Sequence, residues 1–139
     1  MTRTQIAAAN WKMNLTLSQA EKLTEELLSV QFAPESNQTV IIAVPFPYLI
    51  PVSMKIATHA HFHIAAQNMA STKNGAFTGE VSAEMLQSIG VQFVLIGHSE
   101  RREYYHEHND ILKKKVDLAL EYNIKPVFCC GEPLSVREA

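Results

Sequence analysis

Glycine is scarce in this 139-residue sequence, limited to Gly75, Gly79, Gly90, Gly97 and Gly131. None sits in a G-x-G-x-x-G or P-loop spacing, so no glycine-rich nucleotide cradle opens a helix here. Cysteine is scarcer, and Cys129 and Cys130 are adjacent. Neighbours on an extended strand point to opposite faces, so an intrachain disulfide between them would need a strained turn. A reduced compartment fits that usage. No apolar stretch approaches the roughly 20 residues that cross a bilayer. The N-terminus, Met1 to Ile6, carries one basic residue with no long apolar core or small-residue cleavage pattern behind it. An excess of charge is missing too: twelve Lys and Arg face fourteen Asp and Glu, a formal net charge of −2, which provides no basic field for a polyanion. These absences lead to the expectation of a cytoplasmic protein without nucleic-acid or membrane partners. Apolar side chains are not lacking, at 47%, which excludes disorder as the main state. The length suits a single domain over 1–139 and is short for two well-cored ones.

Short apolar, β-branched-rich runs recur at about 5–9, 39–44, 62–66, 91–96 and 125–130, and read as strands buried on both faces. Helical periodicity fills the gaps. Thr16-Leu17-Ser18-Gln19 forms a capping box, followed by Ala20, Leu23, Leu27 and Val30 on one face. A shorter helix follows Pro47, with Leu49, Ile50 and Met54 available to pack. The third covers about 81–89 and stops at Gly90, and the fourth runs from about 107 to 121 with Ile111, Leu112, Val116, Ala119 and Leu120 as its stripe. Alternating strand and helix means parallel strands joined by right-handed crossovers. An open doubly wound sheet competes with an eight-stranded βα barrel. A barrel needs about 250 residues, or about 30 per unit, so this chain supplies four to five units. As a piece of barrel it would leave edge strands near Gln5 to Ala9 and Pro126 to Cys130.

Functional groups of a βα barrel sit where strands end and loops begin. Asn10 and Lys12 follow the first strand two apart, and point the same way if the strand continues, giving one pocket an amide and a fixed cation. A surface Asn and a solvated Lys are the plain alternative. Ile96-Gly97-His98-Ser99-Glu100-Arg101-Arg102 concentrates proton-transfer groups directly after an apolar run, which suggests an oriented acid-base site. A helix starting at Ser99 would put its positive dipole end beside His98 and favour the neutral imidazole. His59, His61 and His63 alternate, but the first and third would lie roughly 13 Å apart on a strand, too far to share one zinc ion; no metal is assigned. Cys129 with His98 and Glu132 could form a thiol nucleophile system, against the plainer reading of a buried strand thiol.

Five segments, Ala9-Asn10-Trp11-Lys12-Met13-Asn14, Ala66-Gln67-Asn68, Gly75-Ala76-Phe77-Thr78-Gly79-Glu80, Ile96 to Arg102 and Cys129-Cys130-Gly131-Glu132, together resemble the triosephosphate isomerase family, in order and along essentially the whole chain. The resemblance implies a TIM barrel, of which this chain covers about five strands and four helices. It also implies interconversion of dihydroxyacetone phosphate and glyceraldehyde 3-phosphate, in glycolysis and gluconeogenesis, with no cofactor. On it, His98 matches the electrophile, a role that is this family's own known pattern and is not read from spacing. Lys12 matches the catalytic, substrate-binding cation, Asn10 the amide that contacts substrate, and Glu100 the neighbouring carboxylate. Cys130 stands where an aliphatic residue is more usual, a change a strand interior should accept.

The family continues through strands six to eight, which carry its base glutamate, mobile lid and phosphate loops. No glutamate here matches that base, so the 139 residues alone are expected to be inactive or nearly so. The loop Asn68 to Gly79 is long for a connection, and Met69 and Phe77 in it have no period to bury them, so they are expected at a partner surface, with a compact loop packed on its own body as the alternative. The resemblance makes that partner a second copy, with Phe77 and Thr78 at a homodimer interface and Glu80 starting the next helix. The alternative function is a non-catalytic half-barrel used for interaction or assembly.

Overall fold

The computed structural model describes residues 3–30 and 33–139; Met1 and Thr2 of the N-terminal segment read above lie outside them. The order is β1 (Gln5–Asn10), α1 (Leu17–Ser29), β2 (Gln38–Val44), α2 (Leu49–Ile56), β3 (Phe62–Ala66), α3 (Ala83–Ser88), β4 (Phe93–Ile96), α4 (Ser99–Tyr104), α5 (Asn109–Glu121), β5 (Lys125–Phe128) and α6 (Leu134–Arg137). All strand pairs are parallel, in the order β1-β2-β3-β4-β5. Sequential parallel strands with helical crossovers are half of a TIM barrel, not a doubly wound sheet, whose order would reverse about a switch point.

Strand alternation divides the interior in two. Ile42, Val44, Ile64, Ala66, Val94 and Ile96 pack outward against Leu49, Val52, Leu86 and Leu112 of the helices. Their neighbours Ile41, Ala43, Ala65, Phe93 and Leu95 form a second cluster on the concave face, with Val127 against it. The expectation of strands buried on both faces holds for β2 and β3 only towards their carboxyl ends and for β4 throughout. It fails at the edges: β1 is exposed along nearly all its length, and Lys125 and Phe128 of β5 are exposed. Among the described residues each edge strand has one neighbour, so one side of its ladder and much of its side-chain surface stay uncovered.

The helix starts and stops are local chemistry. Gln19 Oε1 accepts from the Thr16 backbone N–H at 2.8 Å, closing the capping box of α1. Ser82 caps α3 by accepting from Met85 N–H. Gly90, at φ +78°, takes the left-handed turn beyond α3, and Asn123, at φ +56°, does so after α5. Glu80 therefore does not open α3; it lies in the approach to it.

The buried faces are rotated from those expected. In α1 the buried residues are Ala20 and Thr24, with Leu28 against the core, while Leu27 and Val30 are exposed. In α2, Leu49, Val52 and Ile56 are buried, and Ile50 and Met54 face solvent. In α5 the expected Leu112 and Ala119 are buried with Val116 packed against the core, but Lys115 joins them and Leu120 is exposed. The cause is common to all three: more apolar positions are present than one sheet face can cover, and the sheet selects the side that meets it.

Candidate active site at the carboxyl ends of the strands

Asn10 is the last residue of β1, and Lys12 lies two beyond it. The strand does not continue, so strand alternation is not what brings them together. Lys12 adopts φ +55°, a left-handed conformation that costs a non-glycine residue about 1–2 kcal/mol. Hydrogen bonds on both sides hold it there. Its N–H donates to Asn10 Oδ1 at 2.9 Å, and its carbonyl accepts from Gln67 Nε2 at 2.8 Å. Gln67, just after β3, also reaches Asn10 Oδ1 at 3.2 Å and the Ala43 carbonyl at 3.3 Å. Farther along the same loop, Tyr48 Oη donates to the carbonyl of Leu15, another left-handed residue, at 2.7 Å.

The resulting geometry sends Lys12 Nζ to Glu100 Oε1, 2.6 Å away. Glu100 lies in the first turn of α4, whose N-cap is His98. The Glu100 backbone N–H donates to His98 Nδ1 at 3.3 Å. A backbone N–H can only donate, so Nδ1 is an acceptor and the ring proton sits on Nε2. Glu100 Oε2 is also 3.4 Å from Nδ1. Its partner oxygen is already paired with Lys12, which lets a carboxylate stand beside an unprotonated Nδ1. The Lys12 hydrogen bond, with some help from the Lys12 charge, holds the Glu100 carboxyl below its ordinary value against the opposing effect of desolvation.

Thus Asn10, Lys12, His98 and Glu100 are gathered from two strand ends. The remaining candidates divide. Of the three alternating histidines only His63 is in β3; His61 Nδ1 meets the Gln38 carbonyl at 2.8 Å, His63 Nδ1 meets Gln92 Oε1, and His59 stands edge-on to Phe62. Among the described residues no three His, Cys, Asp or Glu side chains are arranged to hold a metal ion. Cys129 and His98 do share a cavity of about 790 Å³, also lined by Gly97, Ser99, Arg102 and Gly131. Burial pushes the Cys129 thiol up, only partly countered by Arg102, the reverse of what a thiolate nucleophile requires. Cys130 is past the end of β5 and exposed, not in a strand interior.

In the long loop, Met69 is fully buried in the outer core and makes no partner surface, whereas Phe77 is 49% exposed and Thr78 is exposed. The loop closes on itself: Ala70 N–H donates to Val81 O at 2.8 Å, which draws Met69 inward. Two features escaped the sequence reading. Gln67 was visible only as part of a motif, with no role. The buried cluster of Lys115, Glu107, Arg101 and Asn68 had one signal, a lysine at the centre of the Leu112 and Ala119 stripe. Lys115 Nζ donates to Asn68 Oδ1 at 2.7 Å and pairs with Glu107, which also accepts from Arg101 Nε at 3.0 Å.

Fold and site together define the first five strands of a βα barrel with an acid-base and cationic cluster at their carboxyl ends. The triosephosphate isomerase family model matches residues 5–139, and the chain belongs to that family. Curated relatives named triosephosphate isomerase include those of Phocaeicola vulgatus, 48% identical over 99% of this chain and 54% of its own length, and Amoebophilus asiaticus, 46% identical over 100% and 55%. That of Clostridium beijerinckii is 44% identical over 98% of this chain. The chain spans about half the length of the curated relatives it matches. No helix among the described residues is long and apolar enough to cross a membrane.

Proposed function

We propose that this chain carries the electrophilic and substrate-holding part of a triosephosphate isomerase site, acting on a phosphorylated triose without a cofactor. The observation that carries the reading is the convergence of Lys12, Glu100 and the Nε2-protonated His98, residues up to 88 positions apart in sequence. Interconverting a ketose and an aldose moves a proton between adjacent carbons through an enediolate, with charge developing on one oxygen and then the other. His98 Nε2–H donates to those oxygens and exchanges its proton with them, the chemistry for which this family is itself the standard case. Lys12 supplies a fixed positive charge for the enediolate and the phosphate; pre-placed groups of this kind reduce a barrier by a few kcal/mol, about 3. The side-chain oxygen of Asn10 is engaged by Lys12 and Gln67, which leaves its NH₂ for substrate. Glu100 keeps Lys12 oriented in the absence of substrate.

Two copies of the chain pair through the exposed Phe77 and Thr78 in this reading, in the cytoplasm. The 139 residues form one domain and turn over at least about 10⁴-fold more slowly than a complete relative. No glutamate in them matches the family's base, and loss of a general base alone costs about 10²–10⁴. Titrating the purified chain with dihydroxyacetone phosphate, while following the His98 ring and Lys12 Nζ by NMR and assaying isomerisation, tests both halves. Perturbation of both side chains with negligible turnover is expected. Unperturbed side chains at millimolar ligand would sink the site assignment, and a turnover near the ordinary 10 per second would sink the expected inactivity.

A further inference from the structure

Arg102 lines the His98 cavity as a cation that meets no carboxylate at ion-pair distance among the described residues. Its guanidinium is instead spent on neutral oxygens. Nε donates to the Gly97 carbonyl at 2.7 Å, Nη2 to the Cys129 carbonyl at 3.0 Å, and Nη1 to Asn109 Oδ1 at 3.4 Å, with the group standing 5.6 Å from the Phe128 ring centroid. The Arg102 backbone N–H adds a bond to the His98 carbonyl at 3.1 Å. The His98 carbonyl is thus shared by the Arg101 and Arg102 backbone N–H groups, and the carbonyl before it is held by the Arg102 side chain.

Gly97 is shaped around this contact. Its φ of +76° is one that side chains rarely adopt, and a Cβ there would stand 2.9 Å from Arg102 Nη2 and 3.1 Å from Leu112 Cδ1. Gly97 thus combines the turn out of β4 with room for the guanidinium. The same fork reaches the first residue after β5, so it fixes the strand end bearing His98 to the next strand end. A planar, always-charged donor fork suits several carbonyls in one plane, whereas a lysine ammonium can hold them only as a point charge.

We propose that Arg102 is a positioning residue for His98: by clamping the carbonyl of the Gly97–His98 peptide and that of Cys129 with its guanidinium, it sets the imidazole where Nδ1 accepts from Glu100 N–H and Nε2–H points to substrate. This rests on the isomerase reading for its purpose, though not for its geometry. A structural clip would tie β4 to β5 without governing the ring. Positioning makes the tautomer depend on Arg102.

The test reads the ring directly by long-range ¹H–¹⁵N correlation on the full 139-residue chain. In the unaltered chain the His98 shifts should report the Nε2–H tautomer, and the Arg102 Nε proton should exchange at least about tenfold more slowly than that of the exposed Arg137. In Arg102→Met, which keeps the aliphatic stem, the His98 nitrogens should move towards averaged tautomers. Arg102→Lys should restore them in part and Asn109→Ala leave them unchanged. In any preparation with isomerase turnover, Arg102→Met should lower kcat by about 10²-fold, the scale of a misplaced catalytic group, with KM within about threefold. Unaltered His98 shifts in a folded Arg102→Met chain that merely melts earlier would overturn the proposal. So would a freely exchanging Arg102 Nε proton in the unaltered chain, a result that needs no variant to fold. Because the ring readout requires no turnover, a chain with the expected shifts that leaves triose phosphate unbound counts against the isomerase reading alone.

Discussion

Two lysine–glutamate pairs in this chain are chemically alike and physically opposite. Lys12 and Glu100 meet at 2.6 Å with side chains 51% and 42% exposed; Lys115 and Glu107 meet with theirs 5% and 6% exposed. Water screens the first pair, so its two charges hold each other loosely and either can turn to a ligand. The second is removed from water and embedded in fixed contacts. Burial raises the Glu107 carboxyl, but Lys115 and Arg101 together outweigh that and leave it below its ordinary value. Lys115 is lowered because burial outweighs the single carboxylate that Glu107 offers it. Both directions agree once it is seen that one carboxylate serves two cations. The contrast teaches where the chain is free to change: the exposed pair is placed for exchange with substrate, the buried one ties α5 and the segment after α4 to Asn68 at the root of the long loop.

The largest effect should come from crossing the two pairs. Lys115→Met leaves the buried Glu107, whose Oε2 has no partner among the described residues, with Arg101 as its remaining cation and deprives Asn68 Oδ1 of its donor. That costs about 3–5 kcal/mol, or a drop of about 10–20 °C in melting temperature for a domain of this size. Lys12→Met should leave melting nearly unchanged and abolish the response of the His98 ring to triose phosphate. Thermal unfolding by circular dichroism and the NMR titration separate the two. Equal melting losses in both variants would erase the distinction.

That distinction was only half legible in the sequence. His98 and Glu100 could be found because they follow an apolar strand at once, and Lys12 because it trails β1 within two residues. The capping box at Thr16 and the stop at Gly90 were legible for the same reason: their partners are within four residues. Lys115 was not, because its partners are Glu107 and Asn68, and only the folded α5 brings the second of these near. Met69 looked like loop surface because burial there comes from the Ala70 to Val81 hydrogen bond, not from any period. The edges were misjudged in one respect: apolar composition in β1 and β5 resembles that of a buried strand, but the number of neighbours decides exposure. Lys12 carries no signal of its left-handed backbone, which exists only because Asn10 and Gln67 hold it from two strands.

A middle-sized effect concerns the loop that hangs from the buried pair. The proposed pairing of two copies through Phe77 and Thr78 should weaken at least about tenfold in Phe77→Asp with Thr78→Asp, because a charged carboxylate in place of a central aromatic must be desolvated. Sedimentation equilibrium at several concentrations reads this. Asn68 is held by Lys115, so Lys115→Met should weaken pairing as well, while Lys12→Met should leave it unchanged. An unaltered chain that is monomeric at all concentrations, or a dimer indifferent to both aspartates, would remove this interface.

The smallest effect is the one that measures screening itself. A carboxyl whose folded pKa is lowered binds fewer protons in the folded chain than in the unfolded chain, so its contribution is fully present above the ordinary value of 4.5 and is lost as pH falls below that towards the folded value. Glu107 and Glu100 share this sign. Lys115, also lowered, has the same sign at the alkaline end: the folded chain releases its proton first, so stability gains as pH rises from the folded value towards 10.5. Salt distinguishes the two carboxyls. The Debye length shrinks from about 10 Å at 0.1 M to about 3 Å at 1 M salt, which affects an exposed pair and scarcely reaches a buried one. Urea unfolding between pH 3 and 7 should show a loss of stability on acidification that mostly survives 1 M salt, the part due to Glu107 with its two cations. The Lys12→Met chain should depart from the unaltered one only at low salt, by the small part that Glu100 gains from Lys12. A departure of equal size at both salts would mean that the exposed pair is shielded like the buried one, and the two regions would no longer differ in kind.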